Sequence, residues 1–199
     1  MTRHSAAPLA RRFAVVLALG MGLVMAAPAF AGGGSANDLE VGVFLGMVSP
    51  DSFEPLNPDG GSFYGFRIGF NITDAWAVEG SWQRASGLAG EYAGNDLDVD
   101  LEAIRFNALY NFRPGQRFRW FLTGGVGEES IDADDAPIHE VGLGVNVGAG
   151  IRGFLGEKKR FGLRSTARVI FSDPGGGIQD SQTDFELTGG VGWSFGLGK

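Results

Sequence analysis

Three sets of residues in this 199-residue chain have the types and spacing to do chemistry. The first is His139, one of two histidines, with Ser130 and Glu140 nearby. A serine, a histidine and a carboxylate are what activates a hydroxyl for acyl transfer. Here no motif binds the three together: Ser130 ends one extended segment and Glu140 begins the next, so only a hairpin would bring them close. A lone histidine beside a loop is most often an incidental polar residue. The second set is a ladder of acids, Asp96, Asp98, Asp100 and Glu102, joined by Asp132, Asp134 and Asp135. Such carboxylates are hard oxygen ligands suited to calcium. They lack the spacing and turn glycine of a dedicated loop site, so a solvated acidic rim is expected and no metal or other cofactor. With no cysteine in the chain, thiolate chemistry and disulfides are excluded.

The third set is arginines and carboxylates that alternate with apolar residues: Arg67, Glu79, Arg105, Glu140, Arg152, Arg164, Arg168, Asp184 and Glu186. The alternation is clearest where Val141, Leu143, Val145, Val147, Ala149 and Ile151 interleave with Glu140, Gly142, Gly144, Asn146, Gly148, Gly150 and Arg152. A period of two means β-strand, one face apolar and the other polar. Both signs of charge share the polar face, which predicts an ion-paired interior, because buried charges are tolerated only when paired. Glycines on that face, such as Gly142, Gly144, Gly148, Gly150, Gly190 and Gly192, leave room for long side chains opposite.

The pattern predicts eight strands, at about 38–48, 62–72, 76–86, 98–112, 118–130, 140–154, 161–172 and 182–197. An even number of antiparallel strands closes into a barrel with both ends of the chain on one side. The connections alternate: Thr73 to Ala75, Arg113 to Arg117 and Leu155 to Arg160 are short, whereas 49–61, 87–97, 131–139 and 173–181 are longer and rich in Gly, Pro, Asp and Ser. The short side carries Arg113, Arg117, Arg119, Lys158, Lys159 and Arg160. The long side carries Asp51, Glu54, Asp59, Glu91, Asp96, Asp132, Asp134, Asp135 and Asp180.

Ahead of the strands, Arg3, Arg11 and Arg12 precede an apolar run from Phe13 to Ala27 and a small-x-small site at Ala29-Phe30-Ala31. This reads as a cleavable signal peptide over 1–31, leaving one domain at 32–199. The run is too short for a spanning helix, which needs roughly 20 residues. Removing three arginines leaves 13 basic against 23 acidic residues, a net charge of −10, so nucleic acid is not an expected partner.

Aromatics on the apolar face fall near strand ends. Trp76, Tyr110, Phe112, Trp120, Phe161, Trp193 and Phe195 gather towards the short turns, and Tyr64, Phe66, Phe171 and Phe185 towards the long loops. Two such belts mark the two interfaces of a bilayer.

These features, with the strands Phe63-Tyr64-Gly65-Phe66-Arg67-Ile68-Gly69-Phe70, Trp120-Phe121-Leu122-Thr123-Gly124-Gly125-Val126-Gly127 and Gly189-Gly190-Val191-Gly192-Trp193-Ser194-Phe195, resemble the small eight-stranded outer-membrane β-barrel family that includes OmpA-like and OmpX-like domains. The resemblance covers nearly all of 38–197. It implies an all-β, up-and-down transmembrane barrel in the outer membrane of a Gram-negative-type cell, short turns in the periplasm. It also implies the barrel assembly machinery, outer-membrane lipid and lipopolysaccharide as partners, and a monomer. A structural or surface-interaction role without catalysis is expected. The alternatives are a lipid-modifying enzyme dependent on His139, a narrow pore, and a soluble periplasmic lipocalin-like barrel with the faces reversed.

Cysteines at Gly60, Gly94, Ala133 or Gly176 are therefore expected to react with an impermeant reagent on intact cells, and one at Gly115 is not. Labelling at Gly115 alone would reverse the orientation.

Overall fold

The computed structural model describes residues 36–49, 60–92, 95–133, 138–156, 160–174 and 182–196. The proposed signal peptide at 1–31, Asp51, Glu54, Asp59, Asp134, Asp135, Lys158, Lys159 and Asp180 lie outside them, as do the side chains of Glu91, Asp96, His139 and Glu140. The strands are β1 (Asp38–Ser49), β2 (Gly61–Asn71), β3 (Trp76–Tyr92), β4 (Asn95–Asn111), β5 (Phe118–Ala133), β6 (Ile138–Leu155), β7 (Phe161–Pro174) and β8 (Gln182–Gly196). Each pairs with the next in antiparallel sense, and β1 pairs with β8 from Asp38↔Gly196 to Ser49↔Phe185, so the sheet is a closed barrel.

The registers fix its dimensions. Following partners around the wall from Leu39 leads through Phe70, Val78, Ala108, Gly124, Val147, Val169 and Phe185 back to β1 at Ser49, 10 residues further along. With ~3.3 Å per residue and ~4.8 Å between strands, that stagger tilts the strands about 40° from the axis and sets the backbone about 8 Å from it.

All eight expected strands are present, but several run further. β3 and β4 continue through most of the expected 87–97 loop, pairing Leu88↔Val99, Gly90↔Leu97 and Tyr92↔Asn95 beyond a β-bulge between Ala85 and Leu88. The extra residue reverses the alternation, so Ala85 and Leu88 both face inward and are buried. A strict period-two reading necessarily stops there. β6 likewise starts at Ile138, which places His139 in the ladder opposite Asp132 and not in a loop.

The outer wall is apolar. Val141, Leu143, Val145 and Val147 are exposed while Gly142, Asn146 and Arg152 between and below them are buried. On this wall Trp76, Tyr110 and Phe112 touch, with ring centroids 5.0 Å apart in each pair, and Phe161 meets Trp193. Nearer the long loops Trp82, which the sequence reading left out, meets Tyr64 and stacks on Phe66. The registers separate the two aromatic groups by about 20 Å along the axis, close to the ~25 Å apolar band of outer-membrane barrels.

Inside, the chain is not uniformly polar as expected. Towards the long loops Phe44, Val48, Phe63, Ala85, Leu88, Val99 and Leu101 form an apolar cluster, and a smaller one of Ala77, Leu109 and Phe121 lies near the short turns. Inward glycines make this packing fit. A Cβ on Gly65 would lie 2.5 Å from the Phe44 ring and one on Gly190 2.7 Å from the Phe44 Cβ; one on Gly150 would strike Phe121.

The two faces differ enough to test. Arginine at Leu122, exposed on the apolar wall about midway between the two aromatic belts, is expected to destabilise by roughly 2–4 kcal/mol, whereas Asn146→Ser changes stability by less than about 1 kcal/mol. A denaturant folding titration in lipid vesicles compares them, and the opposite ranking would mean that the faces are reversed.

The barrel interior as candidate functional site

Seven positions of the expected interior charge set, Arg67, Glu79, Arg105, Arg152, Arg164, Arg168 and Glu186, together with Asp184, have buried side chains inside the barrel. The side chain of Glu140, expected to be an acid partner, lies outside the described residues. Three further charged residues belong to the lumen and were not in that set. Arg119 is buried within it, and Glu40 and Glu129 project between the arginines.

The pairs stack along the axis because successive inward positions on neighbouring strands climb the wall together. Near the short turns, Arg152 Nη1 lies 3.4 Å from Glu40 Oε2, and Arg119 donates to the Asp74 carbonyl at 3.4 Å. One step up, Arg164 on β7 reaches across to Glu79 on β3 through both guanidinium nitrogens, the longer bond being 3.3 Å. Towards the long loops, Glu186 is a hub: its carboxylate faces Arg105 at 3.0 Å and Arg168 at 3.4 Å and accepts a hydrogen bond from Gln83. Arg105 also approaches Glu129 at 3.6 Å.

Aromatic rings separate these levels. Arg119 lies over Phe154 at 4.8 Å, Arg152 near both Phe154 and Phe121, Arg164 over Phe121 at 4.4 Å, and Arg67 over Phe44 at 5.3 Å. A guanidinium on a ring face gains cation–π attraction, about 2 kcal/mol or more when desolvated. The sequence held the signal for these rings: Phe121 and Phe154 share strand parity with Arg119 and Arg152. The bulky residues next to them, Trp120 and Leu155, face out.

The outward acid ladder is partly committed. Asp100 pairs with Arg84 at 2.8 Å, and Glu102 accepts the Trp82 indole N–H at 2.8 Å. Among the described residues no three His, Asp or Glu side chains converge as a metal site. By register Ser130 is opposite Val141, Glu140 opposite Ile131 and His139 opposite Asp132, so Ser130 and His139 hold diagonal positions of the same parity on neighbouring strands and Glu140 takes the alternate position between them.

Comparison with known proteins fits this geometry. No curated protein sequence matches the chain. Among solved structures, the outer membrane protein OprG from Pseudomonas aeruginosa is similar, with a TM-score of 0.59 and 14% identity over 82% of this chain and 98% of that one. Neisserial surface protein A gives a TM-score of 0.54 and 16% identity, covering 85% of this chain and 100% of the other. The N-terminal β-barrel domain of Pseudomonas aeruginosa OprF gives 0.52 and 20%, covering 81% and 100%. At such identities the likeness speaks for the fold alone. The sequence profile of the outer membrane protein β-barrel domain family matches residues 14–195, nearly the whole chain, and this, with the closed eight-stranded barrel, makes the chain a member of that family and an outer-membrane protein.

Proposed function

We propose that this protein is a non-catalytic, monomeric barrel that serves envelope structure or surface interaction, with a plugged interior and with its acidic long loops outside the cell. The observation that carries this reading is the lumen itself. From Arg119 and Phe154 near the short turns to Leu88 and Val99 near the long loops, buried side chains occupy the bore, and Arg105, Arg152, Arg164 and Arg168 meet carboxylates. A radius of about 8 Å to the backbone is about what inward side chains can fill, which supports a plugged bore. Residues 1–31 act as a cleaved signal peptide, assembly runs through the barrel assembly machinery, and the aromatic belts from Trp76 to Phe195 and from Tyr64 to Phe185 sit at the two interfaces in contact with lipid and lipopolysaccharide. The acyl-transfer alternative is the weaker reading because no motif binds the three residues and Glu140 takes the alternate ladder position to Ser130 and His139.

Conductance separates plug from pore. The folded protein in planar bilayers is expected to show at most rare, small events; a large, steady conductance that changes ion selectivity in Arg105 or Arg168 variants would make it a channel.

Stability reads the same plug. Glu186→Gln strips the hub carboxylate from Arg105 and Arg168 and is expected to cost on the order of 3–5 kcal/mol, the penalty for an uncompensated buried charge. Asp100→Asn breaks a half-exposed pair and costs less than about 1 kcal/mol. Equal, small losses in both would indicate a wet, open bore.

A further inference from the structure

Arginine and carboxylate do not match one to one along the bore. Arg105, Arg152, Arg164 and Arg168 each face a carboxylate, and Arg119 donates to the Asp74 carbonyl. Arg67, only 5% exposed, has no ion pair or hydrogen bond within the described residues. Its guanidinium rests on the Phe44 ring, and its Nε–H is buried without an acceptor. The acids diagonal to it on the neighbouring strands are Glu40 on β1 and Glu79 on β3, and these are committed to Arg152 and Arg164. Three cations therefore share two carboxylates, which leaves one positive charge. Moving Glu79 from Arg164 to Arg67 would only transfer the deficit.

A guanidinium does not shed its proton to escape burial, and a buried charge without a counter-charge is costly. The excess has to be met by an ion. The wall beside Arg67 is built of glycine on that side. Its ladder partner on β1 is Gly42, and Gly42 faces Gly192 on β8, so neither position puts a side chain against the guanidinium. A Cβ on Gly42 would come within 3.3 Å of Arg67 Nε, which marks this glycine as the open side of that nitrogen. A Cβ on Gly192 would lie 3.4 Å from Glu40 Oε1, so Glu40 bounds the recess towards the short turns. A recess bounded by backbone, the Phe44 ring and a carboxylate suits a single-atom anion and refuses an extended one.

We infer that the bore carries an anion-binding site: one halide ion of the chloride class, held on Arg67 beside Gly42 and Phe44, completes the charge balance of the plug. The inference rests on the plugged reading, because water in an open bore would screen Arg67 and remove the need for the ion. Urea unfolding in lipid vesicles, with sodium chloride or bromide replacing sodium gluconate at constant ionic strength and pH, reads the ion through stability. Above the dissociation constant, each tenfold rise in halide should raise the folded-to-unfolded ratio about tenfold. Arg67→Gln should remove this dependence. Arg84→Gln, which loses only a half-exposed surface pair, should keep it, and heat-modifiable gel mobility checks that both variants fold. In crystals grown in bromide, an anomalous peak should lie within hydrogen-bond distance of Arg67 Nε. Halide dependence that survives Arg67→Gln, or bromide peaks only away from Arg67, would overturn the assignment. No halide dependence in a non-conducting barrel would overturn it and leave the plug standing, whereas no dependence together with a steady conductance would overturn both.

Discussion

Hydrocarbon offers the backbone no hydrogen-bond partner, so a sheet that crosses a membrane must pair every strand on both sides and therefore close. Eight strands with a 10-residue stagger meet that demand at a bore only a few side chains wide. Much of the rest follows from this geometry. Apolar residues must alternate outward to meet lipid, and whatever points inward must fill a narrow cylinder to interior packing density. Inward glycines are one solution, because Phe44, Phe121 and other long side chains need the volume that a Cβ would take.

Charge is the other solution, and arginine is suited to it. A guanidinium can engage a carboxylate with two nitrogens while its flat face rests on a ring, as Arg164 does between Glu79 and Phe121. Lysine offers a single point charge and would leave the ring contact weaker. Pairing also explains why the lumen tolerates so many ions. Each buried charge loses hydration worth several kcal/mol and recovers it only from close partners and further hydrogen bonds. The levels Arg152–Glu40, Arg164–Glu79 and Arg105–Glu186–Arg168 are thus necessary to one another's surroundings and do not merely add to stability.

The architecture was legible in the sequence because a half-buried strand writes its two faces in alternate letters, and Val141 to Ile151 spells them without a break. The same parity identifies which residues point inward. It does not identify who meets whom: Arg164 and Glu79 are 85 residues apart, and their contact depends on the stagger of the closed sheet, which no local pattern encodes. Glu40 and Glu129 were missed as partners for that reason. Arg119 stands with the basic short-turn residues by position, although its parity with Phe121 places it in the lumen. The bulge after Ala85 was hidden because one extra residue inverts the alternation on which the reading rests. The apolar inner cluster around Phe63 and Leu88 escaped because an inward face was equated with a polar one.

Closure is the central claim, and the β1–β8 seam is where it succeeds or fails. Amide hydrogen exchange on the folded protein in lipid, resolved by residue, probes that seam directly. The seam amides between Leu39↔Phe195 and Met47↔Leu187 should exchange as slowly as those of the interior pair β5–β6 from Trp120↔Ile151 to Val126↔Val145. Fast exchange confined to β1 and β8, with the other strands protected, would show an open sheet and contradict the account.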